Sequence, residues 1–411
     1  VSSCRVVTLP PSVRAEAARL FAEEARRRGA QLLELRTDLH HDADVDAGAL
    51  ARVLPLLVSE RGAPVPPRWL QAARLVDLPV EGALEAGGPQ LLASHHAERP
   101  LMTEEALQLW ARPLPPGAQV KHVEPLGAPS RLPELLETQA RLVARFGEGR
   151  VTVLAMGPLA LPVRAVLAVH NTLDYVAAGG AWSAAVGQRL LEDVVRESAR
   201  GAGGLRRGIL GTGIAHSRSP RIHRQPFDRI DLPEDADVEA LVDALRPHYA
   251  GFAITSPFKK HLARHAGSAL EAVNTLVRRG ERWEAFNTDH EGAREVLQRL
   301  RVSEAFVLGD GGASAALRAV APEVGTALRV LRRADVDAPL RGAGVWTWPE
   351  RVEVPPGLRF EGARVAVIAY GAPGRRIAAE IRRRGGEPVP LGAAWFVAQA
   401  RRQRSLWETA T

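Results

Sequence analysis

Apolar and polar positions along the first 200 residues alternate between two rhythms. Short runs rich in Val and Leu read as strands: CRVVTL (4–9), QLLELR (31–36), LPLLVS (54–59), ARLVDL (73–78), QLLASH (90–95), AQVKHV (118–123), VTVLAM (151–156) and LDYVA (173–177). Most are separated by stretches with apolar residues at helical spacing. The first such stretch places Val13, Ala17, Leu20 and Phe21 on one face, with Ser12 as N-cap and Gly29 as the stop. Eight βα units in about 200 residues predict a (β/α)8 barrel at the small end of its size range, with a doubly wound sheet as the alternative.

The rhythm breaks at RGAGGLRRG (200–208), which is basic, Gly-rich and without periodicity. It reads as a linker. Beyond it, one α/β piece runs to about residue 300. A second opens with the strand AFVL (305–308) and the turn Gly309-Asp310-Gly311-Gly312. The predicted division is 1–200, a linker at 201–207, then 208–300 and 301–411.

Composition narrows the function classes. With 46% apolar and 25% charged residues the chain reads as an ordinary soluble protein, and no apolar run approaches a membrane span. The start, VSSCRVVTLPP, does not have the pattern of a secretory signal, and the single cysteine suits a reducing cytoplasm. One cysteine also rules out a cysteine-rich zinc site, so no metal is expected. The net charge of +7 is carried by dispersed arginines, and aromatics make up only 5%. Small anionic substrates are therefore expected as partners, rather than nucleic acid or a membrane.

Three lysines occur in the whole chain: Lys121, Lys259 and Lys260. Lysine can lose its proton and attack a carbonyl, which arginine cannot. In a barrel the chemistry sits at the carboxyl ends of the strands. There the sequence places Glu34, Arg36, Arg61, Asp77, His96, Lys121 and Arg164, with Ser183 and Gln188 in the last loop. A lysine for imine formation, a histidine for proton removal and arginines for an anionic substrate make a coherent set.

These motifs resemble the type I 3-dehydroquinate dehydratases over most of the first half. The similar segments are ELRTDL (34–39), SHH (94–96), VKHV (120–123), MGPLALPVR (156–164) and SAAVGQ (183–188). The resemblance implies Lys121 as the Schiff-base nucleophile and His96 as general acid/base. It implies Glu34, Arg36, Arg61, Arg164, Ser183 and Gln188 as substrate ligands. The family's Glu-Gly-Gly does not follow Arg61, Val163 stands in place of a serine, and Val186 in place of a proline.

In the second half, HSRSP (216–220), TSPFKK (255–260), EAVNT (271–275) and FNTDH (286–290) follow one another. Their order resembles shikimate dehydrogenase. The resemblance implies Lys259 and Asp289 as the catalytic pair, with Ser217, Ser219, Thr255, Asn274, Tyr370 and Gln399 as substrate ligands. Gln399 would come from a C-terminal helix returning to the substrate site. The glycine turn, through Gly309, Gly311, Gly312 and Ala313, reads as a dinucleotide signal. Arg332 and Arg333 end the next strand, TALRVLRR (326–333), and favour a 2′-phosphate and hence NADP over NAD. Ala253 and Val367 stand where that family has asparagine and aspartate, and its Asn-Ala-Thr-Pro motif is not found in GVWTWPE (344–350).

The combined expectation is a bifunctional enzyme converting 3-dehydroquinate to 3-dehydroshikimate and then to shikimate. Two alternatives remain: a barrel aldolase fused to a dehydrogenase, and a dehydratase fused to a non-catalytic, ligand-binding second half.

Overall fold

The computed structural model describes residues 3–83, 90–179, 182–199, 204–215, 217–223, 226–336, 338–349 and 353–410. The chain divides into two compact units, the first comprising 1–220 with 224–249, the second 221–223 with 250–411.

In the first unit, the β-branched and leucine runs form β1 (Cys4–Thr8), β2 (Leu32–Arg36), β3 (Leu56–Ser59), β4 (Ala73–Pro79), β5 (Leu91–His96), β6 (Gln119–Pro125), β7 (Val151–Met156), β8 (Leu173–Ala177) and the short β9 (Arg189–Leu190). They make one nine-stranded sheet in the order β7-β6-β5-β4-β3-β2-β1-β8-β9. Every ladder in it is parallel. No β7–β8 ladder occurs among the described residues. The Thr172 N–H nevertheless donates to the Val151 carbonyl at 2.8 Å, linking the approaches to these two strands.

The sheet is strongly curled. Val6, Leu32, Leu57, Leu75, Leu92, Val123, Leu154 and Leu173, one from each of β1 to β8, share a single buried cluster with Tyr175. In a flat sheet with strands about 4.8 Å apart, β6 and β8 would stand far out of reach of each other. Here Lys121 Nζ lies 3.4 Å from Tyr175 Oη.

The first helix departs from its expected cap and face. It spans Ala15–Arg27, its N-cap is Arg14 with no side-chain cap bond, and Ala18, Ala22 and Ala25 are the residues it buries. Leu20 is 55% exposed. The small alanines let the helix lie close to the sheet, so the inward face turns by about one residue from the larger apolar side chains. The expected linker also contains structure: Arg206 and Arg207 open β10 (Arg206–Gly211), which pairs in parallel with β11 (Phe227–Asp231). Residues 201–203 lie outside the described residues. Arg206 is buried in ion pairs with Glu197 and Asp228, a partnership that nearby basic residues concealed in the sequence.

In the second unit, β12 (Tyr249–Ile254) pairs antiparallel with β13 (Thr275–Arg279) through Gly251–Ala253, and β13 with β14 (Arg282–Phe286). A second, all-parallel sheet holds β15 (Glu304–Leu308), β16 (Ala327–Leu331), β17 (Ala343–Trp346), β18 (Arg364–Val367) and β19 (Glu387–Pro390) in the order β16-β15-β17-β18-β19. Alternation along β15 sends Phe306 and Leu308 to one core with Ile377 and Ile381. Val307 points to another core with Leu297, Leu317 and Trp395. Helices thus cover both faces, as in a doubly wound domain whose strand order reverses at β15.

Candidate functional sites

At the carboxyl end of the curled sheet, a cavity of about 220 Å³ is lined by Glu34, Arg36, Arg61, His96, Lys121, Arg164, Tyr175 and Gln188, among others. The expected residues of the first half meet here, from β2, β5 and β6, the loop after β3, the helix Ala160–Leu167 and the segment between β8 and β9. Ser183 is not part of the lining. Its hydroxyl donates to Gln188 Oε1 at 2.8 Å and so positions the loop from which Gln188 enters.

Lys121 is 2% exposed and donates from Nζ to Asp77 Oδ2. The same oxygen accepts from Arg61 Nη2 at 3.0 Å and lies 3.3 Å from the Ser59 hydroxyl oxygen. Ser59 also donates to Glu34 Oε1 at 2.8 Å, and Thr8 to Glu34 Oε2 at 2.5 Å. Arg61 Nη2 further reaches His96 Nε2 at 2.9 Å. A chain of polar contacts therefore runs Lys121–Asp77–Arg61–His96 across the cavity wall. Arg164 is buried behind it and donates to the Tyr175 carbonyl at 2.9 Å.

Electrostatics set the protonation states. Burial lowers the Lys121 pKa against the opposing pull of Asp77. Burial would raise Asp77, but Lys121 and Arg61 outweigh it and hold the carboxyl below its ordinary range. Lost hydration, then the charges of Lys121 and Arg61, push His96 down to about 3. Burial brings Arg164 down to about 10, which still leaves it charged at neutral pH. The site thus offers a neutral imidazole, a buried amine paired with a carboxylate, and fixed positive charge for an anion.

Asp77 was legible only as a strand-end acid, and its direct ion pair with Lys121 was not foreseen. An aspartate within the apolar run ARLVDLP was the available signal. Ser59 and Tyr175 were missed because a Ser and a Tyr inside strands read as packing residues.

The second unit brings Lys259, Asp289 and Gln399 together. Lys259 Nζ donates to Asp289 Oδ2 at 3.3 Å, and Gln399 Nε2 donates to Asp289 Oδ1. Asp289 opens the helix Asp289–Leu300, Lys259 opens the helix Lys259–His265, and Gln399 lies on the helix Gly392–Glu408. Asn274 is buried and its side-chain carbonyl accepts from Thr288 N at 2.8 Å and Thr275 Oγ1 at 2.9 Å. That carbonyl pins the two Asn-Thr loops to each other. Gln403, which the sequence did not single out, donates to Thr275 Oγ1 at 3.1 Å. Thr255 begins the turn into the Lys259 helix, its carbonyl accepting from Phe258 N at 3.2 Å. Tyr370 packs against Phe396 with ring centroids 5.1 Å apart. Ser217 and Ser219 belong to the first unit, where both are buried with their hydroxyls 3.3 Å apart. His216 of the same motif lies outside the described residues.

At the reversal of the parallel sheet, Gly309 turns with φ +122° into the helix Gly312–Val320. A Cβ on Gly311 or Gly312 would meet nothing within 4 Å, so their backbone is open to a ligand. Ser314 Oγ is buried there without a hydrogen-bond partner. Arg332 and Arg333 follow directly on β16. This donor-rich, uncrowded turn fits a dinucleotide diphosphate. Among the described residues no cluster of side chains able to hold a metal occurs, and no helix is long and apolar enough to cross a membrane.

No protein-family model matches the chain. In sequence it is 36% identical over 145 residues to the shikimate dehydrogenase (NADP(+)) of Anaeromyxobacter sp. (strain K), covering 31% of this chain and 52% of that protein. It is 26% identical over 204 residues to the shikimate biosynthesis protein AroDE of Chlamydia pneumoniae, covering 44% of this chain and 43% of that one. The chain spans about half the length of the curated relatives it matches first. Among solved structures, the dehydroquinate dehydratase and shikimate dehydrogenase of S. pombe AroM aligns over 99% of this chain and 95% of its own, at 17% identity and a TM-score of 0.39. The chain is thus similar in sequence to proteins of shikimate biosynthesis.

Proposed function

We propose that the chain is a bifunctional shikimate-pathway enzyme of the cytoplasm. It would dehydrate 3-dehydroquinate in residues 1–200 and reduce the product to shikimate with NADPH in residues 208–411. The observation that carries the first step is the buried Lys121, ion-paired to Asp77 at the wall of an arginine-lined cavity. The inner cluster drawn from β1 to β8 supports reading this half as a closed (β/α)8 barrel.

In this reading, Lys121, whose ammonium burial disfavours, loses its proton to water and its amine adds to the substrate ketone. The carbonyl oxygen leaves as water and a C=N bond forms. His96, held neutral, removes a proton from the carbon next to the imine. The hydroxyl on the following carbon departs as a second water, and hydrolysis returns Lys121 and 3-dehydroshikimate. Arg36, Arg61 and Arg164 supply charge for the carboxylate, with Glu34 and Gln188 ordering the hydroxyls.

The similarity to NADP(+)-dependent shikimate dehydrogenases and the Lys259–Asp289–Gln399 cluster support the second step. NADPH, when bound, supplies hydride to the carbonyl carbon. Gly309, Gly311, Gly312 and Ala313 would hold its diphosphate, and Arg332 and Arg333 its 2′-phosphate. Lys259 would give a proton to the carbonyl oxygen, with Asp289 fixing the ammonium. Thr255, Asn274, Tyr370 and Gln399 would bind the hydroxylated acid.

A coupled assay tests both halves: 3-dehydroquinate and NADPH are supplied, and loss of NADPH absorbance is followed. Oxidation with 3-dehydroshikimate but not with 3-dehydroquinate would remove the first activity. Formation of 3-dehydroshikimate without NADPH oxidation would remove the second.

A further inference from the structure

The second residue of the glycine turn is an acid. Asp310 Oδ2 accepts from Arg332 Nε at 3.2 Å and Nη2 at 3.0 Å. Its Oδ1 lies 3.2 Å from Arg318 Nη2. The carboxylate is the less exposed partner, at 26% against 73% for Arg332 and 53% for Arg318. It therefore takes up donors of both guanidinium groups next to the diphosphate turn.

Position gives this pairing its consequence. Asp310 follows β15 and Arg332 follows β16, the two strands whose carboxyl ends hold the diphosphate and the adenosine ribose in a doubly wound nucleotide domain. A phosphate on the ribose needs free guanidinium donors and positive potential. Asp310 takes donors from Arg332 and places a negative charge well inside the screening distance of about 8 Å. A ribose with a free 2′-hydroxyl makes neither demand.

We propose that Asp310 is a specificity-determining residue: by holding Arg332 and Arg318 it weakens the preference of this site for nucleotides bearing a 2′-phosphate. The proposal rests on the reading of the second unit as a dinucleotide-binding domain.

The test is calorimetric titration of the full chain and its variants with adenosine 2′,5′-bisphosphate and with 5′-AMP, which differ only in the 2′-phosphate. Two exposed ion pairs set the scale, so Asp310→Asn is expected to tighten the bisphosphate by about three- to tenfold and to leave 5′-AMP within about twofold. In an Arg332→Ser background the same change should have a smaller selective effect, since only Arg318 and the charge of Asp310 itself remain to act. Asp310→Ala repeats the measurement, and thermal melts check that each variant is folded. An unchanged ratio, an equal shift for both ligands, or a selective gain undiminished without Arg332 overturns the proposal while leaving the cofactor reading intact. If the parent binds neither these ligands nor NADPH at millimolar concentration, both fall together.

Discussion

Arg61 Nη2 lies 2.9 Å from His96 Nε2, and that contact settles the tautomer of the imidazole. A guanidinium has only N–H donors, so Nε2 must accept and the ring proton must sit on Nδ1. A carboxylate in the place of Arg61 would favour imidazolium. Burial first, then Lys121 and an arginine there, favour the neutral ring and push His96 down to about 3. The histidine is a ready base across the whole physiological range.

The pH–rate profile should show this. A base loses activity as pH falls through its pKa, so kcat/KM for dehydration should have no acid limb from His96 above about pH 5. Arg61→Met removes one of the cations beside the ring, while burial and Lys121 remain, so the His96 pKa moves upward toward its ordinary value. The acid limb should then shift to higher pH than in the parent, together with a raised KM. A profile identical in shape to the parent would show that Arg61 does not set the state of His96.

Lys121 should be the only residue trapped by borohydride in the presence of 3-dehydroquinate. Lys121→Ala should abolish the adduct and the dehydration, whereas Lys259→Ala should leave both intact. Peptide mass spectrometry reads the outcome, and an adduct on any other residue would contradict the assignment.

Asp77→Asn leaves a buried Lys121 and a half-buried Arg61 against a neutral amide. Removing one partner from a buried pair costs about 3–5 kcal/mol. A carboxyl held below its ordinary range contributes stability above its unfolded pKa of about 3.9, and that contribution fades as pH falls further. The parent should therefore lose part of its thermal stability below about pH 4, and Asp77→Asn should be less stable at neutral pH with a flatter acid dependence. Melting curves between pH 3 and 8 measure both.

Much of this was legible in the chain because strands and glycine turns leave strong local signals. All eight main strands of the first half fall where Val- and Leu-rich runs placed them, since a parallel sheet covered on both faces demands such runs. Lys121 was singled out by its rarity, and the structure puts it in a cavity wall. Asp77, Ser59 and Asp310 matter through partners that are distant in sequence, such as Lys121 for Asp77 and Arg332 for Asp310. Those pairings depend on sheet curvature and strand order. Arg206 was hidden for the opposite reason, because a basic, glycine-rich context disguised a residue paired in the interior.

Lys259→Ala should lower NADPH oxidation with 3-dehydroshikimate by about 10²- to 10⁴-fold, the usual range for a positioned proton donor. Gln399→Leu should have a smaller effect of the same kind, because Asp289 would keep Lys259 but lose its second partner. Steady-state assays with 3-dehydroshikimate separate the two, and dehydration serves as the internal control. A Lys259→Ala enzyme as fast as the parent would favour a binding role for this half.

Gly292 lies three residues after Asp289, and Trp395 four residues before Gln399, so the two helices meet antiparallel with one packing contact beside one polar contact. A Cβ on Gly292 would stand 2.7 Å from Trp395 Cδ2. Trp395 is buried against Leu297 and Leu317 and has no room to retreat. Gly292→Ala gains up to about 1 kcal/mol of helix propensity, but overpacking a rigid ring costs about 1–3 kcal/mol. The helix Gly392–Glu408 must shift outward, and Gln399, one turn along, moves with it away from Asp289. The expected result is a lower melting temperature with NADPH oxidation reduced several-fold and borohydride trapping at Lys121 unchanged. If oxidation is unaffected while the melting temperature falls, the seating of Gln399 does not depend on this contact.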